Sequence, residues 1–186
     1  MEEPDLAHFK TIPWCSTLLD NPEFTVTPTF SRQYKASTED SLIAETLRTP
    51  NTIERCLSIY KRPAAGTSWI SELRMLVSLG SGMNGGPNVL HGGIIATLLD
   101  DVIGTLLTVN KDTEAIPLSS STVTASLNVT YLRKVSTPAT VLVVARCLEV
   151  KGRKFSMYAE VQDGEGNVLA KADSLWIRSR AVAEKL

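Results

Sequence analysis

A long apolar helix, followed by a change in the period of the sequence, restricts the fold more than any other feature of this chain. From about Gly92 to Val109 the large aliphatic residues recur every four positions in two adjacent rows. This spacing predicts a helix with a broad apolar face that must be buried. The two rows contain Ile94, Ile95, Leu98, Leu99, Val102, Ile103, Leu106 and Leu107.

After the helix the period changes to two, which is typical of strands. Apolar and polar residues alternate in 122–131, 140–150 and 154–161, and a last strand is expected over about 167–178. Gly152 and the segment 163–167 predict hairpin turns between them. Two further strands are expected before the helix, over 54–61 and 72–79. An apolar helix among strands needs cover on most sides, so we expect an α+β fold with an antiparallel sheet curled around the helix.

The chain divides into three predicted parts: an N-terminal arm with a short helix (1–52), the main domain (53–180) and a C-terminal tail (181–186). Four prolines interrupt residues 1–38, but the large apolar groups there favour an arm that lies partly ordered against the domain. The short helix is expected to begin at Ser37 or Thr38 and to end at Pro50. We also hypothesise that Trp14 or Phe24 covers a substrate pocket.

Composition excludes several classes of function. A net charge of −1 over 186 residues gives no electrostatic reason to expect nucleic acid as a partner. Three distant cysteines argue against a disulfide framework, and with only two histidines we expect no metal site. The most apolar stretch contains Asp100 and Asp101, so no apolar run is expected to span a membrane. The N-terminal residues MEEPDLAHFK resemble neither a secretory signal nor a transit peptide, which favours a cytoplasmic location. A removed leader or a mitochondrial location is also compatible with the sequence.

The segment NVLHGGIIATLLDDVIG, residues 88–104, carries the most informative motif. Its pattern of HGG, six residues and then Asp resembles the signature of hotdog-fold thioesterases of the phenylacetyl-CoA and 4-hydroxybenzoyl-CoA thioesterase superfamily. The resemblance covers about residues 70–178, and it agrees with the element order predicted above. It implies a hotdog fold and hydrolysis of an acyl-CoA thioester without a metal or organic cofactor. It also implies a homodimer or a dimer of dimers, in which the HGG turn of one subunit meets the Asp of the other.

The physical chemistry of the turn supports a catalytic interpretation. Glycines at a helix start allow close approach of a ligand, and the first helical N–H groups have no partner within the helix. A free N–H at Gly92 or Gly93 could therefore stabilise the oxyanion that forms when a thioester carbonyl is attacked. The alternative is that both glycines simply form a tight turn into the helix. His91 is expected to orient the turn through its ring, in either a structural or a proton-transferring role.

Asp100 breaks an otherwise apolar helix, and a buried carboxylate is costly unless it is hydrogen-bonded or functional. The resemblance makes Asp100 the nucleophile or the general base, and Asp101 is the competing candidate. Both acids could instead meet solvent at a dimer seam. By the resemblance, Thr124 would help to hold the attacking water. Strand alternation places Thr124 on the same face as Ser126 and Asn128.

The remaining candidates concern substrate binding. Asn84 and Asn88 precede the HGG turn, where some relatives place an amide near the thioester carbonyl. Arg153 and Lys154 follow the Gly152 turn, which resembles a hairpin that contacts the nucleotide end of CoA in relatives.

Other mechanisms find no support in the sequence. It contains no GxSxG, Walker A or GxGxxG pattern. The segment beginning at Asp20 only faintly resembles the DxNPxH stretch of hotdog hydratases, because no histidine follows it. The main alternative is a protein of the same fold that binds acyl-CoA or another apolar ligand without turnover, or a tailoring protein of a biosynthetic pathway.

Overall fold

The computed structural model describes residues 3–179, and its central feature is a single seven-stranded antiparallel sheet. A two-stranded ribbon and three α-helices complete the regular structure. The helices are α1 (Glu3–Lys10), α2 (Pro13–Leu19) and α3 (Gly92–Asp112). The strands are β1 (Phe24–Thr27), β2 (Ile53–Lys61), β3 (Glu72–Leu79), β4 (Asn84–Gly86), β5 (Val89–Leu90), β6 (Thr122–Tyr131), β7 (Ala139–Lys151), β8 (Lys154–Gln162) and β9 (Val168–Arg178).

The large sheet has the order β1-β2-β3-β7-β8-β9-β6, and every neighbouring pair is antiparallel. Its inner face wraps α3, whose Leu99, Val102 and Ile103 are completely buried. Residues such as Met75 and Val143 project from the strands into the same core. Removal of each such aliphatic side chain from water contributes about 1.5–3 kcal/mol. The predicted hotdog fold is therefore confirmed, as are the two strands before the helix and the four after it.

The N-terminal part is more ordered than the predicted irregular arm. Helices α1 and α2 pack on the outer face of the sheet, where Phe9 and Cys15 bury against Leu57 and Leu142. The prolines do not interrupt these helices. Pro13 occupies the first turn of α2, where its missing N–H costs nothing. Strand β1 then extends the sheet beside β2. The predicted tail, 181–186, lies outside the described residues.

The predicted short helix is reduced to one helical turn, Leu42–Thr46. Thr38 and Asp40 have φ values of 67° and 61°, in the left-handed region, so a helix cannot begin at the predicted cap. Trp14 and Phe24 also lie away from Asp100. The ring of Trp14 packs over Gly164, and the ring of Phe24 lies 4.4 Å from the guanidinium carbon of Arg74.

Among the described residues, α3 alone is long and apolar enough to cross a membrane by length and composition, with a mean hydropathy of 1.6. The expectation that no apolar run spans a membrane stays a prediction. In the fold α3 is the core helix, wrapped by the sheet on its apolar face.

Candidate active site

The turn into α3 is held by the ring of His91. His91 is the N-cap residue, and its Nδ1 accepts a hydrogen bond of 2.9 Å from the backbone N–H of Gly93. Neutral His91 therefore carries its proton on Nε2. The N–H of Gly93 is occupied by this bond, whereas the N–H of Gly92 has no acceptor within residues 3–179. Gly92 is thus the donor that remains available to a ligand.

Both asparagines of the loop before the HGG turn are hydrogen-bonded to Thr137. The Asn84 side chain accepts a hydrogen bond from the Thr137 hydroxyl, and the Asn88 carbonyl accepts one from the Thr137 backbone N–H at 3.2 Å. Asn88 has a φ of 55°, a left-handed conformation that asparagine tolerates better than most residues. A Cβ on Gly85 would lie 3.0 Å from the His91 ring, so only glycine lets the loop pack this closely. Thr137 therefore holds both residues beside the HGG turn, Asn84 through its side chain and Asn88 through its backbone.

Tyr131 is a contact of the turn that the sequence analysis did not identify. Its hydroxyl donates to the carbonyl of Gly92 at 3.0 Å, and its ring lies 3.4 Å from a Cβ placed on Gly92. Tyr131 is the last residue of β6. Every second residue of a strand faces the same side, so its alternation with Val129 could have predicted that it faces the helix. Beside it, a groove of about 370 Å³ includes Arg133 and Lys134.

Asp100 is half-buried on α3 and is bound to the neighbouring edge strand. The Thr124 hydroxyl donates to Asp100 Oδ1 at 2.9 Å. Burial raises the pKa of Asp100, and the Thr124 hydrogen bond lowers it by a smaller amount. The side chain of Asp100 therefore combines raised basicity with a hydroxyl that can share a bound water.

A β-bulge brings Thr124 to this position. The pairing of β6 with β9 shifts between Thr124 and Ser126, so Thr124 faces Trp176 while Ser126 faces Leu175. Because Trp176 belongs to the core and Leu175 is its neighbour along the strand, the two β6 residues lie on opposite faces. The prediction that Thr124 and Ser126 share a face was wrong, because the bulge at Ala125 turns Thr124 toward the helix.

Asp101 has a different environment from its neighbour. Ser31 donates to Asp101 Oδ2 at 3.0 Å. Burial raises the pKa of Asp101 to about 7, against which the Ser31 bond acts in the lowering direction. Asp100 therefore points toward the edge strand, whereas Asp101 points toward the N-terminal segment.

The chain folds so that Asp100 and the Gly92 turn are well separated. Asp100 follows Gly92 by eight positions of the helix, which corresponds to about 12 Å along the axis. One thioester carbon cannot contact both groups of a single chain. The structure thus forms two clusters, the HGG turn with the asparagines and the Asp100–Thr124 pair.

Two grooves meet at the adjacent acids. We call the first the apolar groove: it has a volume of about 560 Å³ and is lined by Leu42, Ile43, Ala96 and Leu127 together with the acids and Thr124. We call the second the hydroxyl-lined groove: it measures about 400 Å³ and includes Ser31, Thr105, Thr108, Lys111, Ser121 and Thr122. Both are bounded by residues 30–43, which we call the strap. No local pattern in the sequence predicts that this segment lies beside the acids.

Arg153 and Lys154 belong to neither cluster. Both are exposed at the β7–β8 hairpin, where Arg153 donates to the carbonyl of Arg178 at 3.1 Å. The hairpin is two strands away from Thr124, about 10 Å across the sheet. It borders a separate groove of about 370 Å³ that includes Trp69 and Phe155.

Comparison with known families identifies the part of the chain that contains the HGG turn and Asp100. Residues 87–170, which run from the loop before the HGG turn into β9, match the family model of the thioesterase superfamily. Residues 87–170 of this chain therefore belong to the thioesterase superfamily.

The thioesterase domain and its flanks also resemble two curated proteins. The verlamelin biosynthesis protein B of a Lecanicillium species is 29% identical over 164 residues, covering 73% of this chain and 71% of that protein. An uncharacterized mitochondrial membrane protein of Saccharomyces cerevisiae is 30% identical over 139 residues. That match covers 73% of this chain but only 52% of the yeast protein. The cytoplasmic location of the present chain therefore stays a prediction.

A solved relative shares the thioesterase fold. The BH2602 protein from Bacillus halodurans, whose structure was determined with CoA, superposes with a TM-score of 0.50 at 24% identity. The similarity covers 59% of this chain and 68% of the other. It supports the fold assigned above.

Proposed function

We propose that this thioesterase superfamily member hydrolyses an acyl-CoA to a free acid and CoA. The observation that carries the proposal is the half-buried Asp100 carboxylate, which bonds Thr124 and opens onto two grooves in an otherwise apolar helix. Burial of this acid has no structural benefit, since a carboxylate on a core helix is costly. Its position is understandable if it acts on a bound substrate.

Two routes are open for Asp100. As a general base, it takes a proton from water while the water oxygen attacks the thioester carbon. The carbonyl oxygen becomes an oxyanion, which the Gly92 N–H stabilises, and collapse then breaks the C–S bond and releases the CoA thiolate. As a nucleophile, Asp100 itself displaces the thiolate to form a mixed anhydride, which water then hydrolyses. Neither route uses a metal or an organic cofactor.

The site requires two subunits in this proposal. Asp100 and Gly92 of one chain are about 12 Å apart along α3, too far to act on one carbonyl. The edge strand β6 ends the sheet with unpaired backbone groups, and its Val123 and Tyr131 are more than half exposed. Such an edge favours pairing with a second strand. We therefore propose a homodimer or a dimer of dimers that joins the HGG turn of one subunit to the Asp100 of its partner.

The CoA moiety is assigned to the basic hairpin. The guanidinium of Arg153 suits phosphate, and Lys154 adds a second positive charge beside it. The CoA in the solved structure of the Bacillus halodurans protein supports a CoA thioester as the substrate class. Asn84 and Asn88 act indirectly in this proposal, by fixing the loop that presents Gly92.

A thiol-release assay over acyl-CoA substrates tests the proposal. Asp100→Asn should lower kcat by at least about a hundredfold, because it removes the base or nucleophile. Asp112→Asn makes the same change at an exposed position of the same helix and should match the wild type. Asp101→Asn should retain most of the activity. If wild type and Asp100→Asn release CoA equally slowly on every substrate, the protein binds acyl-CoA without turnover; if Asp101→Asn alone is inactive, the neighbouring acid has the catalytic role.

A further inference from the structure

The two grooves at Asp100 differ in chemistry. Beyond the acids and threonines at its mouth, the apolar groove is lined by leucine, isoleucine and alanine side chains. The other groove is lined by hydroxyl groups, lysines and four carboxylates, and so is polar along its length. An acyl-CoA has the same division on either side of its thioester, with a hydrocarbon chain on one side and a pantetheine arm of amides and a hydroxyl on the other. Burial of each half is favourable only in a groove of matching polarity.

The hydroxyl-lined groove follows one face of α3. Asp100, Gly104, Thr108 and Lys111 succeed one another at helical spacing along this face. Lys111 follows Asp100 by eleven positions, which corresponds to about 16 Å of helix. Gly104 keeps the groove open, because the Trp176 ring already lies 3.3 Å from the position of a Cβ there. The result is an elongated channel that begins at the proposed catalytic acid.

The strap separates this channel from the apolar groove. Phe30, Ser31 and Lys35 lie on the side of the hydroxyl-lined groove, Leu42 and Ile43 lie on the other side, and Asp40 contacts both. The strap lies before residues 87–170, the part of the chain that matches the family model.

The strap is fastened at several points. Lys35 and Asp40 form an ion pair across its bend, and Ser31 bonds Asp101. The Arg32 side chain is 2% exposed, and its guanidinium donates to the carbonyls of Ile43 and Leu47 at 3.5 and 3.4 Å. A segment fixed in this way can select a substrate by shape.

We propose that the strap sets substrate specificity by directing the acyl chain into the apolar groove, against Leu42, and the pantetheine arm into the hydroxyl-lined groove. This inference rests on the proposed thioesterase function. Leu42 is 52% exposed, although it is a large aliphatic residue beside the catalytic acid. A bound acyl chain would cover it, and that contact grows with the length of the chain.

The test is the chain-length profile of kcat/KM for a series of saturated acyl-CoA substrates. Leu42→Gln should lower kcat/KM for long chains about tenfold, mainly through KM, and leave the shortest substrates nearly unchanged. Leu118→Gln is the matched control, since Leu118 is 69% exposed and lines none of the described grooves near Asp100. Its profile should match that of the wild type.

A second arm tests the other groove. Lys111→Gln should raise KM for an acyl-CoA and leave unchanged the KM for the corresponding N-acetylcysteamine thioester, which lacks most of the pantetheine arm. An unchanged chain-length profile in Leu42→Gln overturns the assignment. So does an equal loss for all chains accompanied by weaker self-association in sedimentation, because Leu42 would then be a subunit contact. If the wild type itself hydrolyses no thioester, the proposed function fails; if the wild type is active and only the profile is unmoved, this inference alone fails.

Discussion

Replacement of Gly92 by proline removes the N–H from the proposed oxyanion site and puts a ring carbon on that nitrogen, while the helix can still begin there. Gly92 is the first residue of α3, where an N–H has no partner within the helix and proline is well tolerated. The preceding His91 has φ −62° and ψ 134°, which is the extended conformation that proline requires of its predecessor. The hydrogen bond from Gly93 to His91 should therefore survive the change.

The magnitude follows from the loss of one oxyanion donor. Such a loss costs about 2.7–4 kcal/mol, so kcat of Gly92→Pro should fall about 10²–10³-fold. Gly92→Ala separates this effect from bulk, because it adds a Cβ and retains the N–H. That Cβ would lie 3.4 Å from the Tyr131 ring, an ordinary contact, so Gly92→Ala should remain close to the wild type.

The assay is steady-state thiol release, with circular dichroism and thermal unfolding to show that both variants are folded. A folded Gly92→Pro protein with the kcat of the wild type would refute the role of this N–H. Equal losses in Gly92→Pro and Gly92→Ala would also refute it, since the cause would then be crowding against Tyr131.

Three further changes probe the groups around the acids and the turn. Burial raises the pKa of Asp101 to about 7. Between about pH 4 and 7 the folded state therefore keeps a proton that the unfolded state releases, so stability falls as the pH rises. From pH 5 to 8 this decline amounts to at most about 3 kcal/mol, and Asp101→Asn should abolish it in urea unfolding; a variant with the wild-type slope would contradict the reasoning. The hydrogen bond from Thr124 lowers the pKa of Asp100. Thr124→Val should therefore move the acidic limb of the kcat/KM profile to higher pH, whereas Thr124→Ser should keep it in place. An unmoved limb in Thr124→Val would contradict an effect of Thr124 on the pKa of Asp100. His91→Ala should lower the free energy of unfolding by about 1 kcal/mol through loss of the helix cap, and His91→Asn should recover most of this loss. Equal stability of the two variants in denaturant unfolding would contradict the role of the cap.

The sequence predicted the core of the fold well because two periods dominate it. The helix over 92–109 and the strands over 122–131 and 140–150 agree with α3, β6 and β7 to within three residues at each end. Both patterns arise from burial on one face, which a single sequence records directly. The N-terminal helices were missed because they are short and bury against the outer face of a sheet whose existence their own sequence does not reveal.

The candidate site was predicted in part for a related reason. The acid and the glycine turn could be named from local spacing. The orientation of Thr124 could not, because the bulge at Ala125 depends on pairing with β9. The strap lies 57 or more residues before Asp100 in the chain, so its contact with the acids is created only by the fold. The sequence also left Gly92 and Gly93 equivalent, and the His91 bond distinguishes them.

The most direct test of the shared catalytic site is complementation between two inactive chains. Gly92→Pro and Asp100→Asn chains would be refolded together at equal concentrations and assayed for thiol release against each parent. Half of the dimers should then be mixed, and each mixed dimer should contain one site with an intact Gly92 and an intact Asp100, which gives about a quarter of the wild-type activity. Activity that stays at the level of the inactive parents, in a sample shown to contain mixed dimers, would contradict a site built from two subunits.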